Sequence, residues 1–196
     1  MMPTFLSHEI LGLITVIMTI GLHIPYFIKT YRGTIKPHPF TWILWTLLTF
    51  IIFAAQVNGN AGPGSWGTGV TAILCVGITF ASFQYGFNNI HKADIFMFMA
   101  GLGAIPLWLL TNDATLAVML ATAIDLIAFA PTYRKSWHNP HEEPVYLYAL
   151  NVLRHGISLA ALVEFNLITA TFPFAIMLAN GLLAIILVVR RKELLT

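Results

Sequence analysis

Charge is scarce in this chain. Only 9% of its 196 residues are Asp, Glu, Lys or Arg, 58% are hydrophobic, and mean hydropathy is +0.79. A soluble domain carries about 25% charged residues. So few charges cannot cover a water-facing surface, which excludes a soluble domain and leaves no basic face for nucleic acid. Cysteine is nearly absent: Cys75 stands alone inside an apolar run. That excludes a disulfide within the chain and a cysteine-based metal site. No basic segment precedes the first apolar run and no small-residue cleavage site follows it, so it reads as a retained helix rather than a signal peptide. There is no Asn-x-Ser/Thr sequon, in keeping with a bacterial inner membrane.

Catalytic signatures are missing as well. There is no His-x-x-x-His box, no Gly-x-Ser-x-Gly elbow and no paired-acid site, so neither an enzyme nor a cofactor is expected. The last apolar stretch has no lysine for a retinal Schiff base; Lys192 lies past its end. Gly62-Pro63-Gly64-Ser65-Trp66-Gly67 formally spells G-x-G-x-x-G, but no strand precedes it and it holds a proline. It reads as a tight turn between spans. His38, His138 and His141 have no spacing that builds a metal site.

What the chain does have is apolar stretches of membrane-crossing length, about 20 residues each. Seven are expected, over 8–30, 39–57, 66–88, 94–111, 114–133, 144–164 and 170–190. Breakers separate them: Lys36-Pro37-His38-Pro39, Asn58-Gly59-Asn60, Asn88-Asn89, Asn112-Asp113 and His138-Asn139-Pro140. Every Lys and Arg except Arg154 falls in the loops after spans 1, 3 and 5 or in the tail. The positive-inside rule then puts the C-terminus in the cytoplasm and the N-terminus outside.

Spans 1–3 and 5–7 look like two copies of one unit. Pro25 lies near the cytoplasmic end of span 1 and Pro131 near that of span 5. Both copies run on into a basic segment, a Pro-His pair (Pro37-His38, Pro140-His141) and an aromatic-rich helix. Two triplets of the same sense need one linking helix between them. The expected architecture is therefore an all-α membrane protein with two parallel three-helix repeats joined by a linker helix, 3+1+3. Repeat one covers 1–90, the linker 91–112 and repeat two 113–196, in a single transmembrane domain. Repeats of this kind build transporters with the substrate site between them near the midplane.

Asp125 and Arg154 lie in the middle of two different spans, and Asn180 lies at the same depth. A charge at the bilayer centre costs about 2.5–3.5 kcal/mol on insertion scales, so it marks a solute or proton path by default. Two readings stay open: a structural ion pair locking span 5 to span 6, or a substrate or proton site. Asn151, Arg154, His155 and Ser158 follow i, i+3, i+4, i+7 and make one polar stripe. Asp125 and His155 are the proton-coupling candidates. Thr15, Thr19 and His23 share a face of span 1, and Thr68, Thr71, Cys75 and Ser82 share one of span 3; both read first as packing seams. Trp42 reads as an interfacial belt residue, and Trp45, one turn deeper, as a stacking surface. Pro25 and Pro131 read as hinges, because proline removes a backbone donor.

On these features the chain resembles the PQ-loop superfamily, which includes the SWEET and SemiSWEET sugar transporters, cystinosin-like exporters and PnuC-type vitamin transporters. The likeness lies in the 3+1+3 topology and the matched prolines. The family's Pro-Gln pair reads Pro25-Tyr26 and Pro131-Thr132 here, without glutamine in either. Trp42-x-x-Trp45 and Phe53-Ala54-Ala55-Gln56 are similar to PnuC-type sequences. The resemblance implies alternating access, with Asn180 in place of the family's substrate asparagine and Trp45 in place of its tryptophan. The expected function is therefore transport of a small polar solute (vitamin-, amino-acid- or sugar-like) bound by Asp125, Asn151, Arg154, Asn180 and Trp45. The alternative is a seven-helix sensor. Membrane lipid is the other expected partner, and a homo-oligomer stays open.

Overall fold

The computed structural model describes residues 7–33, 39–85, 113–138 and 140–193, with isolated positions between 92 and 110. The linker helix expected over 91–112 falls outside the described residues apart from those isolated positions. So do Lys36, Pro37, His38, Asn88, Asn89, Asn112 and Asn139.

Among the described residues there are seven α-helices: α1 (His8–Tyr31), α2 (Pro39–Asn58), α3 (Trp66–Ser82), α4 (Ala114–Ala128), α5 (Ala130–His138), α6 (Val145–Ala160) and α7 (Leu167–Glu193). No strand occurs among them. Three segments are long and apolar enough to cross a membrane: His8–Tyr31, Gly62–Ser82 and Leu167–Glu193. Ile17, Ile73, Phe80 and Ile185 are exposed, so these helices turn apolar side chains outward, as a lipid-facing surface requires.

Local chemistry sets the ends. Ser7, Asp113 and Asn166 each turn a side-chain oxygen toward orphan amides of the first helical turn; Asp113 accepts from Thr115 and Leu116 at 2.9 and 3.1 Å. The α2–α3 turn works through left-handed backbone at Asn60 and Gly62, both at φ 58°. The run expected to be helical over 114–133 is interrupted at Phe129. Pro131 cannot donate to the carbonyl four residues back, and Phe129 N–H turns to Leu126 O at 3.1 Å. The expected sixth span is also shorter: α6 stops at Ala160, and 161–166 is not helical.

The packing forms a ring. α3 packs against both α1 and α2, and α7 packs against both α4 and α6. The circle closes through α1 against α6 and α2 against α4. Small residues allow the close approaches. Ala114, Ala117 and Ala121 of α4 bury against Leu44, Leu48 and Ile52 of α2. On the other side Gly67 lies so near α1 that an added methyl group would stand 3.0 Å from Thr15 Oγ1.

Candidate functional site

The ring encloses a cavity of about 520 Å³. Asp125, Asn151, Arg154, Asn180 and Trp45, nominated from sequence, all line it, and so does His155. The cavity runs from the middle of the bundle toward the end where α1 finishes and α2 begins, reaching Thr132 and Glu143.

Arg154 is buried, at 8% exposure. Its Nη1 donates to Thr19 Oγ1 at 3.0 Å and to Thr71 Oγ1 at 3.2 Å. Each hydroxyl spends its own proton on a carbonyl of its helix, Thr15 O at 2.7 Å and Gly67 O at 2.8 Å. Their lone pairs are thus turned to the guanidinium. Nη2 lies 2.7 Å from His155 Nε2. A guanidinium only donates, so Nε2 accepts and the ring proton sits on Nδ1. Of the five guanidinium donors, Nε–H and one Nη2–H remain without a partner among the described residues. His23 joins the cluster from α1, its Nδ1 donating to Thr19 O at 2.9 Å.

Asp125 faces the same cavity from α4. Among the described residues it makes no ion pair with Arg154 or any other cation. The structural ion pair between span 5 and span 6 is therefore not formed. The Trp45 indole lines the same cavity, and its buried Nε1–H has no hydrogen-bond partner among the described residues. Asn151 and Asn180 donate their amides to Leu147 O and Ile176 O one turn back, at 3.2 and 2.8 Å. Their side-chain carbonyls are left without a partner among the described residues.

Residues of both seams also reach the site. Thr19 and Thr71 hold Arg154, and His23 and Cys75 line the space. Trp42 is not an interfacial belt residue: it is 7% exposed and packs between Tyr26 and Trp45, both at 5.1 Å between ring centroids. Sequence reasoning missed Tyr26, Glu143 and Tyr148 as lining residues. The Tyr148 hydroxyl donates to Glu143 Oε2 at 2.6 Å. The aromatic residues Tyr26, Trp42 and Trp45 on either side of the span 1–span 2 junction were the available signal. Among the described residues no three His, Cys, Asp or Glu side chains cluster to hold a metal ion.

No protein-family model matches this chain, and no curated protein or solved structure matches it either.

The opposite end of the bundle is clasped shut. Val163 N–H donates to Ala61 O at 3.1 Å and Ser158 Oγ to Gly64 O at 2.5 Å. Asn166 Nδ2 reaches Gly59 O and Gln56 Nε2 reaches Thr169 O, each at 3.2 Å. The last bond has a cause in the sequence. Pro173 lacks the amide that would bond Thr169 O within α7, so that carbonyl is free to accept from α2. The turn expected at Gly62–Gly67 is buried in this contact, with Pro63 against Gly12 and Gly64 against Leu162. At the cavity end, Arg191 instead holds the Pro140 and Glu143 carbonyls, and Arg190 lies over the Trp137 ring at 4.8 Å. Pro25 stays inside an unbroken α1, whereas Pro131 follows the interruption at Phe129.

Proposed function

We propose that the chain is a seven-span membrane transporter of PQ-loop type, which moves a small polar solute by alternating access between two parallel three-helix repeats. The observation that carries this reading is the ring. In each triplet the third helix packs between the other two, and the triplets meet first helix to second at both seams. A two-fold exchange of repeat one (1–90) with repeat two (113–196) reproduces that order, with 91–112 as linker. The polar groups lie in the cavity between the triplets, where a carrier of this design binds its solute.

Lys29, Arg32 and the Arg190-Arg191-Lys192 run fall at the cavity end of the bundle. The positive-inside rule makes that end cytoplasmic and the clasped end external, so this conformation faces inward. The membrane is then a bacterial inner membrane, with the N-terminus outside. Asn180, Asn151, Arg154, Asp125 and Trp45 hold the solute. Asp125 and His155 are the groups through which a proton would couple, and Phe129-Ala130-Pro131 is the better hinge, since its helix is already broken. The chemistry of this reading is binding and release.

The test is counterflow in proteoliposomes against a labelled panel of amino acids, nucleosides, vitamins and sugars. At least one solute is expected to exchange, and Asp125→Asn, Arg154→Gln and Asn180→Ala to slow it. Absence of flux for the whole panel, or flux indifferent to all three variants, would refute transport through this site.

A further inference from the structure

The cavity keeps its charged groups in two sets that do not neutralise each other. One is basic: Arg154 with His23 and His155 beside it, fixed by Thr19 and Thr71. The other is the Asp125 carboxyl, on α4 beside Trp45. Cys75 and the Tyr26–Trp42–Trp45 aromatic cluster line the same space. Among the described residues Arg154 has no carboxylate partner and Asp125 no cation. Glu143 also lines the space, but at the far end, held by Tyr148.

Each solute class can be tested against that arrangement. A neutral sugar leaves both charges unpaired. An anion alone satisfies Arg154 but sets a second negative charge facing Asp125. A cation alone does the reverse at Arg154. Only a solute with both signs satisfies both walls. The guanidinium retains unused donors, and such donors match a carboxylate or another oxyanion. A carboxylate in a cavity that also presents aromatic rings suits a cationic nitrogen, which gains from ring faces as well. A volume of about 520 Å³ lies within the ~300–1,000 Å³ of small-molecule sites.

We infer that the site takes an amphoteric solute, its oxyanion on Arg154 and its cationic nitrogen on Asp125 against the Tyr26–Trp42–Trp45 face. This assignment rests on the transport reading and names the cargo of the same site. Two positions then discriminate: Arg154 against amines that lack the acid, and Asp125 against acids that lack the amine.

The experiment uses the purified full chain, by thermal shift in detergent and by counterflow in liposomes. The probes are the twenty amino acids, 4-aminobutyrate and carnitine, with glucose and uridine as neutral solutes. For each amphoteric probe that raises the melting temperature, its amine-only and acid-only analogues are compared. At least one amphoteric probe is expected to bind and exchange, with both analogues about tenfold weaker or more, as loss of a charge-assisted hydrogen bond implies. In Asp125→Asn the amphoteric probe should bind no better than its acid analogue; in Arg154→Gln, no better than its amine. Should Arg154→Gln fail to fold, the near-isosteric Asp125→Asn decides alone. The assignment is overturned if no amphoteric probe shifts the melt, if an analogue binds equally well, or if Asp125→Asn leaves the preference intact. Exchange of glucose or uridine without amphoteric binding would sink the cargo class and leave transport standing. Amphoteric binding with no flux for any probe would uphold the ligand class and sink transport.

Discussion

Gly64 is where the clasp can be pried open with one methyl group. A Cβ there would stand 2.5 Å from Leu162 Cδ2 and 2.9 Å from both the Cα and N of Leu162. The Leu162 side chain can swing aside; its backbone cannot. Gly64 has ordinary negative φ, so alanine brings no backbone strain and the whole effect is steric. Overpacking of this kind costs about 1–3 kcal/mol. On the proposed alternating-access reading the cost falls only on the conformation in which Gly64 touches Leu162, so the open-to-closed ratio should rise about 5- to 150-fold. Four hydrogen bonds hold the same contact, each with a net value of about 1 kcal/mol, so Gly64→Ala should shift the balance rather than unfold the protein. Cys75, the single cysteine, is a built-in reporter, because it lines the cavity. A membrane-impermeant thiol reagent added from the external side should modify it slowly in wild type and about 5- to 150-fold faster in Gly64→Ala. Labelling from the cytoplasmic side should fall. Gly21→Ala is the control, since nothing lies within 4 Å of a Cβ there. External labelling of folded Gly64→Ala at the Gly21→Ala rate would refute the argument that this contact is the closed outer gate.

The remaining predictions bear on single bonds. Gln56→Leu leaves Thr169 O without its donor and should lower stability by about 1–3 kcal/mol in a detergent melt; Pro173→Ala, which restores the helical amide, should abolish most of that loss in the double mutant. Ser158→Ala removes the bond to Gly64 O and should raise external Cys75 labelling in the same direction as Gly64→Ala, by about tenfold or less. Tyr133→Phe loses the 2.8 Å bond from α5 to Ala179 O and should cost about 1 kcal/mol in the same melt, with external labelling unchanged. A labelling change in Tyr133→Phe, or none in Ser158→Ala, would show that the clasp is not the element being read.

Depth was legible in the sequence; facing was not. Counting residues from Arg134 and Arg190 set Asp125 and Asn180 at one level, and i, i+3, i+4, i+7 spacing put Asn151, Arg154 and His155 on one face. Those readings are local, and all five residues line the cavity. Which neighbour a face meets depends on the register between helices, and there the sequence was ambiguous. Thr19 and Thr71 carry a seam pattern and do pack as one, yet the same hydroxyls accept from Arg154. Trp42 sits where belt tryptophans sit, but Tyr26 and Trp45 draw it inward. Residue types suited to pairing, Asp125 and Arg154, are separated because α4 meets α2 and α7 while α6 meets α1 and α7. The break at Phe129 could have been read from Pro131, which lacks the amide that would bond the carbonyl four residues back. Pro173 passed unnoticed because its effect, a free carbonyl at Thr169, has meaning only once Gln56 is brought alongside.

Arg154 joins the two ends of the molecule. It belongs to α6, yet it holds Thr19 on α1 and Thr71 on α3, so its bonds tie three helices together. Ser158 lies one turn further along the same face and bonds Gly64 in the clasp. On the proposed alternating-access reading, parting the clasped end moves α6 away from α1 and α3 and would break the bonds from Arg154 to Thr19 and Thr71. Arg154 would then need other acceptors, and an oxyanion in the cavity is the available one. A ligand shifts an equilibrium only by its differential affinity for the two states. Here the difference has a location: closed, the guanidinium divides its donors between protein and solute, and open, the solute has them to itself. Thr19→Val and Thr71→Val remove the protein's share. Together they should tighten binding of an oxyanion-bearing solute while raising external labelling of Cys75, each by about fivefold or more. Tighter binding with unchanged labelling would mean that Arg154 recognises solute without coupling it to the clasp.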